Sequence, residues 1–360
     1  MIIACFFDIA WLYAGLEKFK YTIINNFIIK IISVVMIFVF VKNPDDLIIY
    51  IIINVASHLL GYISMWIFLP KFICFEKISI KSILPNLKNT FIYFIPTIAA
   101  TLYVTIDKSL IGIITKDTSQ NGYYEEATKI ISIVKSVFII SVGNVICPRI
   151  SLFYKNKDVN SIQNYLYNTI EIILSLTIGA TFGIISISHL FVPFFFGDGY
   201  EDTIIILYFL SPILIVLSIT KIMETLYFIP SGNIKQESKG LIIGSITNLI
   251  LNCCMIPFLG AVGASIASVI SEIVVLIIYI SYSKNLINIK KIFNMSFKKI
   301  ISGIIMMIAI YFLNYSNIND IIKMILQIFV GIVIYFLMLF ILRDNVYKSL
   351  NNIIKFVKKK

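Results

Sequence analysis

Apolar residues in this chain come in long runs, and short clusters of charge separate one run from the next. A helix that crosses a bilayer needs roughly 20 mainly apolar residues in succession. By that measure spans are predicted near residues 22–41, 47–70, 90–115, 124–148, 166–195, 203–229, 239–257, 260–282, 299–314 and 321–342, with residues 1–16 reading as the tail of another. Hydrocarbon offers no partner to a backbone amide, so only helices and closed barrels cross it, and these runs are too long for barrel strands. The expected fold class is therefore all-α, a polytopic membrane protein of about ten transmembrane helices.

Charge alternates along the breaks. Lys71, Lys77, Lys81 and Lys88 follow the second run, and Arg149, Lys155, Lys157, Lys235, Lys239, Lys284, Lys290, Lys291, Lys298 and Lys299 fall in later breaks of the same parity. The tail adds Lys355, Lys358, Lys359 and Lys360, whereas the opposite breaks hold only Lys42, Lys116 and Lys323. Basic loops stay in the cytoplasm. The rule places the C-terminus inside a cell membrane and the breaks at 42–46, 116–123, 196–202, 258–259 and 315–320 outside.

Composition agrees and narrows the function. Hydrophobic residues make up 59% of the 360 and charged residues 14%, with a mean hydropathy of +0.94, outside the range of soluble domains. A net charge of +11 would suggest nucleic acid in a soluble protein, but here it is spent on topology, and no nucleic-acid partner is expected. Cys5, Cys74, Cys147, Cys253 and Cys254 have neither metal-type spacing nor a pairing pattern and read as free thiols. His58 and His189 lie in apolar surroundings and read as packing or interfacial residues. No nucleophile–base constellation is visible, and the short external breaks leave no room for an outer-face active site. An enzyme, a metal site and a cofactor are all unexpected.

Ionisable residues inside spans carry more information, because one facing lipid costs about 3 kcal/mol or more. Thr101, Thr105, Lys108 and Gly112 recur at helical spacing in the third run, and Asp107 adjoins them. Lys108 lies eight residues from Lys116, about 12 Å along a helix at 1.5 Å per residue. In the fourth run Glu125, Thr128, Lys129, Ser132, Lys135 and Ser136 form one face against isoleucine, valine and phenylalanine on the other. Both patterns fit helices that line water. Lys108, Lys129 and Lys135 would then attract anions, and Asp107, answered by Lys129 or Lys135, would serve with the deeper Glu272 as an ion pair or a coupling site. Ion pairs that merely fix packing are the plainer alternative. Lys30, Glu171, Lys221 and Glu224 sit near cytoplasmic ends, where snorkelling and an i, i+3 pair explain them. Gly179 with Gly183 and Gly240 with Gly244 have the spacing of close helix contacts. Pro96 is a candidate hinge.

The stretch PTIAATLYVTIDKSLIGIITKDTSQNGYYEEATKIISIVKSVFIISVGNVICPRIS, Pro96 to Ser151, resembles the Wzx-type oligosaccharide flippases of the multidrug/oligosaccharidyl-lipid/polysaccharide exporter superfamily. Asp107-Lys108, Gly122-Tyr123-Tyr124, Ala127, Lys129 and Pro148-Arg149 carry the likeness. FDIAWLYAGLEKF at 7–19 and NLILNCCMIPFLGAVGASIASVISE at 248–272 match further segments in the same order.

The resemblance implies two six-helix lobes of a MATE-like fold around a cavity, working by alternating access. It divides the chain into a remnant of the first lobe at 1–70, an inter-lobe linker at 71–89, a second lobe at 90–283, a linker at 284–298, two further helices at 299–342 and a basic tail at 343–360, with about four helices of the pattern expected before residue 1. It implies that polyprenyl-pyrophosphate-linked oligosaccharide is moved to the outer leaflet for capsule, lipopolysaccharide or teichoic acid assembly, with membrane lipids and a polysaccharide polymerase as partners. A cation-coupled drug exporter of the same superfamily is the first alternative, and the basic lumen disfavours it. A polymerase or ligase of lipid-linked glycans, or a structural subunit, are the others.

Overall fold

The computed structural model describes residues 2–16, 18–73, 105–156, 158–283, 286–314 and 319–358. The inter-lobe linker beyond residue 73, Pro96, Thr101 and the first part of the third predicted span lie outside the described residues. Contacts divide the chain into two compact units, Met1–Asn86 and Leu87–Lys360.

The first unit is a helical hairpin. α1 (Phe19–Phe40) and α2 (Leu47–Trp66) pack side by side and join through a tight turn at Pro44–Asp46. Asp46 closes that turn by accepting from the Lys42 and Asn43 amides, each at 2.9 Å. Those two hydrogen bonds, the Lys42 one foremost, hold its carboxyl below the usual carboxylate range. Near the other end Tyr13 is fully buried and donates to the Met65 carbonyl at 2.7 Å, with Tyr21 and Phe72 against its ring. Most large apolar side chains of α1 face outward, as a helix in contact with lipid requires.

The second unit begins with α3, residues 105–115. Asp117 caps the next helix by accepting from the Ser119 amide at 2.8 Å. α4 (Thr118–Val134) runs through a π-helical turn, Lys135–Ile140, into α5 (Ser141–Lys155). α6 (Val159–Phe196) is capped by Asp158, whose pKa is lowered by its Ser161 hydrogen bonds, and ends at Gly197 with φ 85°. At 38 residues it is about 57 Å long, more than a bilayer core needs. α7 (Glu201–Leu210) and α8 (Ile213–Met223) meet at a 47° bend over Ser211-Pro212, and α8 continues into a second π-helical turn, Glu224–Phe228.

α9 (Ile234–Tyr282) is two arms broken at Gly260, whose φ of 55° and ψ of −136° are open to glycine and strained for other residues. A Cβ at Gly260 would also lie 2.8 Å from the Gln120 Oε1 atom, which accepts from the Ala261 amide at 3.0 Å. α10 (Ile289–Leu313), α11 (Asp320–Ile341) and α12 (Val346–Lys358) complete the unit.

Six of these helices are long and apolar enough to cross a membrane, or seven with α7 and α8 taken as one bent span. Each of the ten predicted spans has a helical counterpart among the described residues, the third from residue 105 onward. The two runs at 239–257 and 260–282 are the arms of α9. α10 starts ten residues before the predicted boundary, because the Lys-rich sequence 290–299 is helical rather than loop. Gly240 and Gly244 do allow close contact: a Cβ at Gly240 would stand 2.5 Å from the Tyr279 ring, and one at Gly244 would run into Val275. Gly179 packs against Tyr335, whereas Gly183 has open space around it.

Candidate functional site

Within the second unit the helices enclose a cavity of about 260 Å³. Asp107 of α3, Tyr124, Thr128 and Ser132 of α4, Thr220 and Lys221 of α8, and Ser268 and Glu272 of the second arm of α9 reach it, as do Lys135 and Glu224 from the two π-helical turns. Leu210, Ile213, Leu217, Leu241 and Val275 fill the apolar part of the wall. A π-helical turn inserts one extra residue into a helix and often sits at a functional site. Here Lys135 opens one such turn and Glu224 opens the other.

Asp107 is 4% exposed and answered by neutral donors. Its Oδ2 accepts from Tyr124 and Ser268, both at 2.7 Å, and its Oδ1 from the Asn252 amide at 2.6 Å. Asn252 also donates to Asn248 at 3.0 Å. One carboxylate thereby ties α3 and α4 to both arms of α9. The expectation that Lys129 or Lys135 answers Asp107 is corrected: hydroxyl and amide groups take that place, since they satisfy a buried carboxylate without desolvating a second charge. Carboxylate, amide and hydroxyl oxygens are also the chemistry that holds a proton or a small hard cation. Among the described residues no three His, Cys, Asp or Glu side chains cluster as metal ligands.

Glu272, buried to 5% exposure, accepts from Thr220 at 2.6 Å. Lys221 donates to Glu224 at 2.5 Å, the i, i+3 pair read from the sequence, yet both border the cavity rather than a membrane surface. Of the three lysines singled out, Lys135 lines the cavity. Lys108 pairs with Glu125 across α3 and α4, and Lys129 pairs with Glu126 at 2.7 Å, both partly exposed. Thr220 drew no notice in the sequence, and Tyr124, Asn248, Asn252 and Ser268 entered only through the family likeness, with no site role. The i, i+4 asparagines on an otherwise apolar helix were the available signal.

Glu171 also departs from expectation. Rather than snorkelling at a span end, it is 1% exposed and paired with the fully buried Lys299, which donates as well to both Asp344 oxygens at 3.0 Å. This triad fastens the start of α12 to α6 and α10.

Residues 3–154 match the family model described as polysaccharide biosynthesis protein. The inward closed conformation of the lipid II flippase MurJ is similar to 89% of this chain and 67% of its own, with a TM-score of 0.73 at 21% identity. The chain has a MurJ-like fold. A protein assigned as an O-antigen transporter in Shigella dysenteriae is 23% identical over 272 residues, 74% of this chain and 66% of its own length. Its counterpart in Escherichia coli is 25% identical over 283 residues, 76% and 66%. A protein assigned as a low-salt glycan biosynthesis flippase in Haloferax volcanii is 26% identical over 228 residues, 60% and 46%. The chain therefore spans just under two thirds of the first two curated relatives. These matches bear out the resemblance to oligosaccharide flippases, and the relatives are named as transporters and flippases rather than enzymes.

Proposed function

We propose that this protein moves a polyprenyl-pyrophosphate-linked oligosaccharide from the inner to the outer leaflet of the cell membrane for surface polysaccharide assembly. The observation that carries the reading is a cavity bordered by five Asp, Glu and Lys side chains in a chain with a MurJ-like fold. An apolar wall alone would exclude a hydroxyl-rich head group, while Lys135 and Lys221 offer charge-assisted hydrogen bonds to phosphate. Lys108 and Lys129 continue the basic face along α3 and α4 and meet the same anion when their glutamate pairs open.

Asp107 and Glu272 are the coupling groups in this reading. Each is a buried carboxylate whose hydrogen bonds come from neutral groups, three for Asp107 and Thr220 for Glu272, with Lys135 and Lys221 near Glu272 but outside salt-bridge distance, so gain or loss of a proton or a sodium ion changes the local charge without breaking an ion pair. Residues 90–283 form the second lobe. The basic breaks and the C-terminus face the cytoplasm by the positive-inside rule, and a polysaccharide polymerase receives the flipped unit outside.

In the native host, Lys135→Ala or Glu272→Gln should lower surface polymer about tenfold or more, with membrane levels of the protein unchanged. Lys108→Ala and Lys129→Ala should impair export as well. Normal polymer in all four variants removes the proposal.

A further inference from the structure

A second polar recess lies at one end of the same unit, apart from the central cavity. It has a volume of about 720 Å³ and opens where the first turns of α6 and α10 meet α12. Its wall is rich in amides and hydroxyls, including Asn164, Asn168 and Ser349, with lysines at 291 and 348. Among the described residues neither lysine has a carboxylate within salt-bridge distance. Lys291 instead rests 3.5 Å from the centre of the Tyr167 ring.

Glu171 forms the floor. Its Oε1 accepts from Lys299, while its Oε2 is buried with no donor among the described residues and has the Asp344 carboxyl as a close neighbour. Lys299 is shared with Asp344, so two carboxylates meet one ammonium and an acceptor is left over. A ligand that fits needs an anion for the two lysines and a neutral hydrogen-bond donor for Glu171. A second anionic end would be repelled there, and a head group without donors would leave the buried oxygen unanswered.

Position selects between a soluble ligand and a lipid. The recess sits at the mouth of α6 and α10, both long and apolar enough to span a membrane. α12 follows directly on α11, a third such helix, and exposes Tyr347 and Leu350. Basic recesses between spans at the bilayer surface recognise lipid head groups.

We propose that this recess binds a phospholipid head group, its phosphodiester between Lys291 and Lys348 and its hydroxyls donating to Glu171 and the neighbouring amides, as the glycerol of phosphatidylglycerol can. The test is native mass spectrometry of the full chain in detergent, with phosphatidylglycerol, phosphatidylethanolamine and phosphatidylcholine supplied in equal amounts. Phosphatidylglycerol should be retained in preference to the other two. The double variant Lys291→Gln/Lys348→Gln should retain about tenfold less of it, while Lys235→Gln, outside the recess, retains it as the parent does. Equal retention of phosphatidylcholine, or undiminished binding by the double variant, overturns the proposal. Displacement of the lipid by millimolar inorganic phosphate overturns its assignment to a lipid.

Discussion

Two clusters of buried charge in the second unit are built on opposite plans. Around Lys299, charge is answered by charge: the ammonium touches Glu171 and Asp344, and all three side chains are at most 2% exposed. Around Asp107 and Glu272 the hydrogen bonds come from Tyr124, Ser268, Asn252 and Thr220, all neutral, and both acids border a cavity whose wall also carries Lys135 and Lys221. A closed ion pair holds helices together and resists change, because separating it strands a charge in a medium of low dielectric. A carboxylate held by hydroxyls and amides can change charge and keep its neighbours. The first plan suits a fastening between helices and the second a site that changes charge.

The contrast can be broken at several points. Lys299→Met strands two buried carboxylates and should cost about 3–5 kcal/mol, read as a loss of thermal stability in detergent and of protein in the membrane. Asp107→Ala removes the shared acceptor of Tyr124, Ser268 and Asn252 and should cost about 1–3 kcal/mol. Asp107→Asn keeps much of that hydrogen bonding, so it should melt near the parent while export falls; an equal loss of stability in both Asp107 variants would assign the residue to architecture. Gly260→Ala forces a side chain into a positive-φ backbone conformation that glycine alone adopts readily, beside Gln120, and should cost about 1–3 kcal/mol, measured in the same melt. Lys129→Gln removes an exposed i, i+3 pair and should change stability by about 0–1 kcal/mol, so any effect on export from it reports on the anion path.

The spans were legible because lipid demands long apolar runs, and the charges inside them, Asp107, Lys135 and Glu272, stood out against that background. Their partners were not. Asn252 and Ser268 lie 145 and 161 residues from Asp107 along the chain, and nothing in their own surroundings says which acid they meet. Lys221 and Glu224 were legible as a local pair, but a helical spacing cannot say whether the pair faces lipid, water or a cavity. Lys299 was misplaced for a different reason. It sits where a lysine-rich break meets the predicted span 299–314, and its burial depends on Glu171 and Asp344 arriving from elements far away in sequence.

The difference between an open site and a sealed one is most directly measured by single cysteines at positions 135, 272 and 299 in a background without the native cysteines, probed in membranes with a water-soluble maleimide. Reaction at 135 and 272 with none at 299 is the expected outcome. Positions 135 and 272 as unreactive as 299 would mean that water does not enter between these helices, and the cavity would have no part in transport.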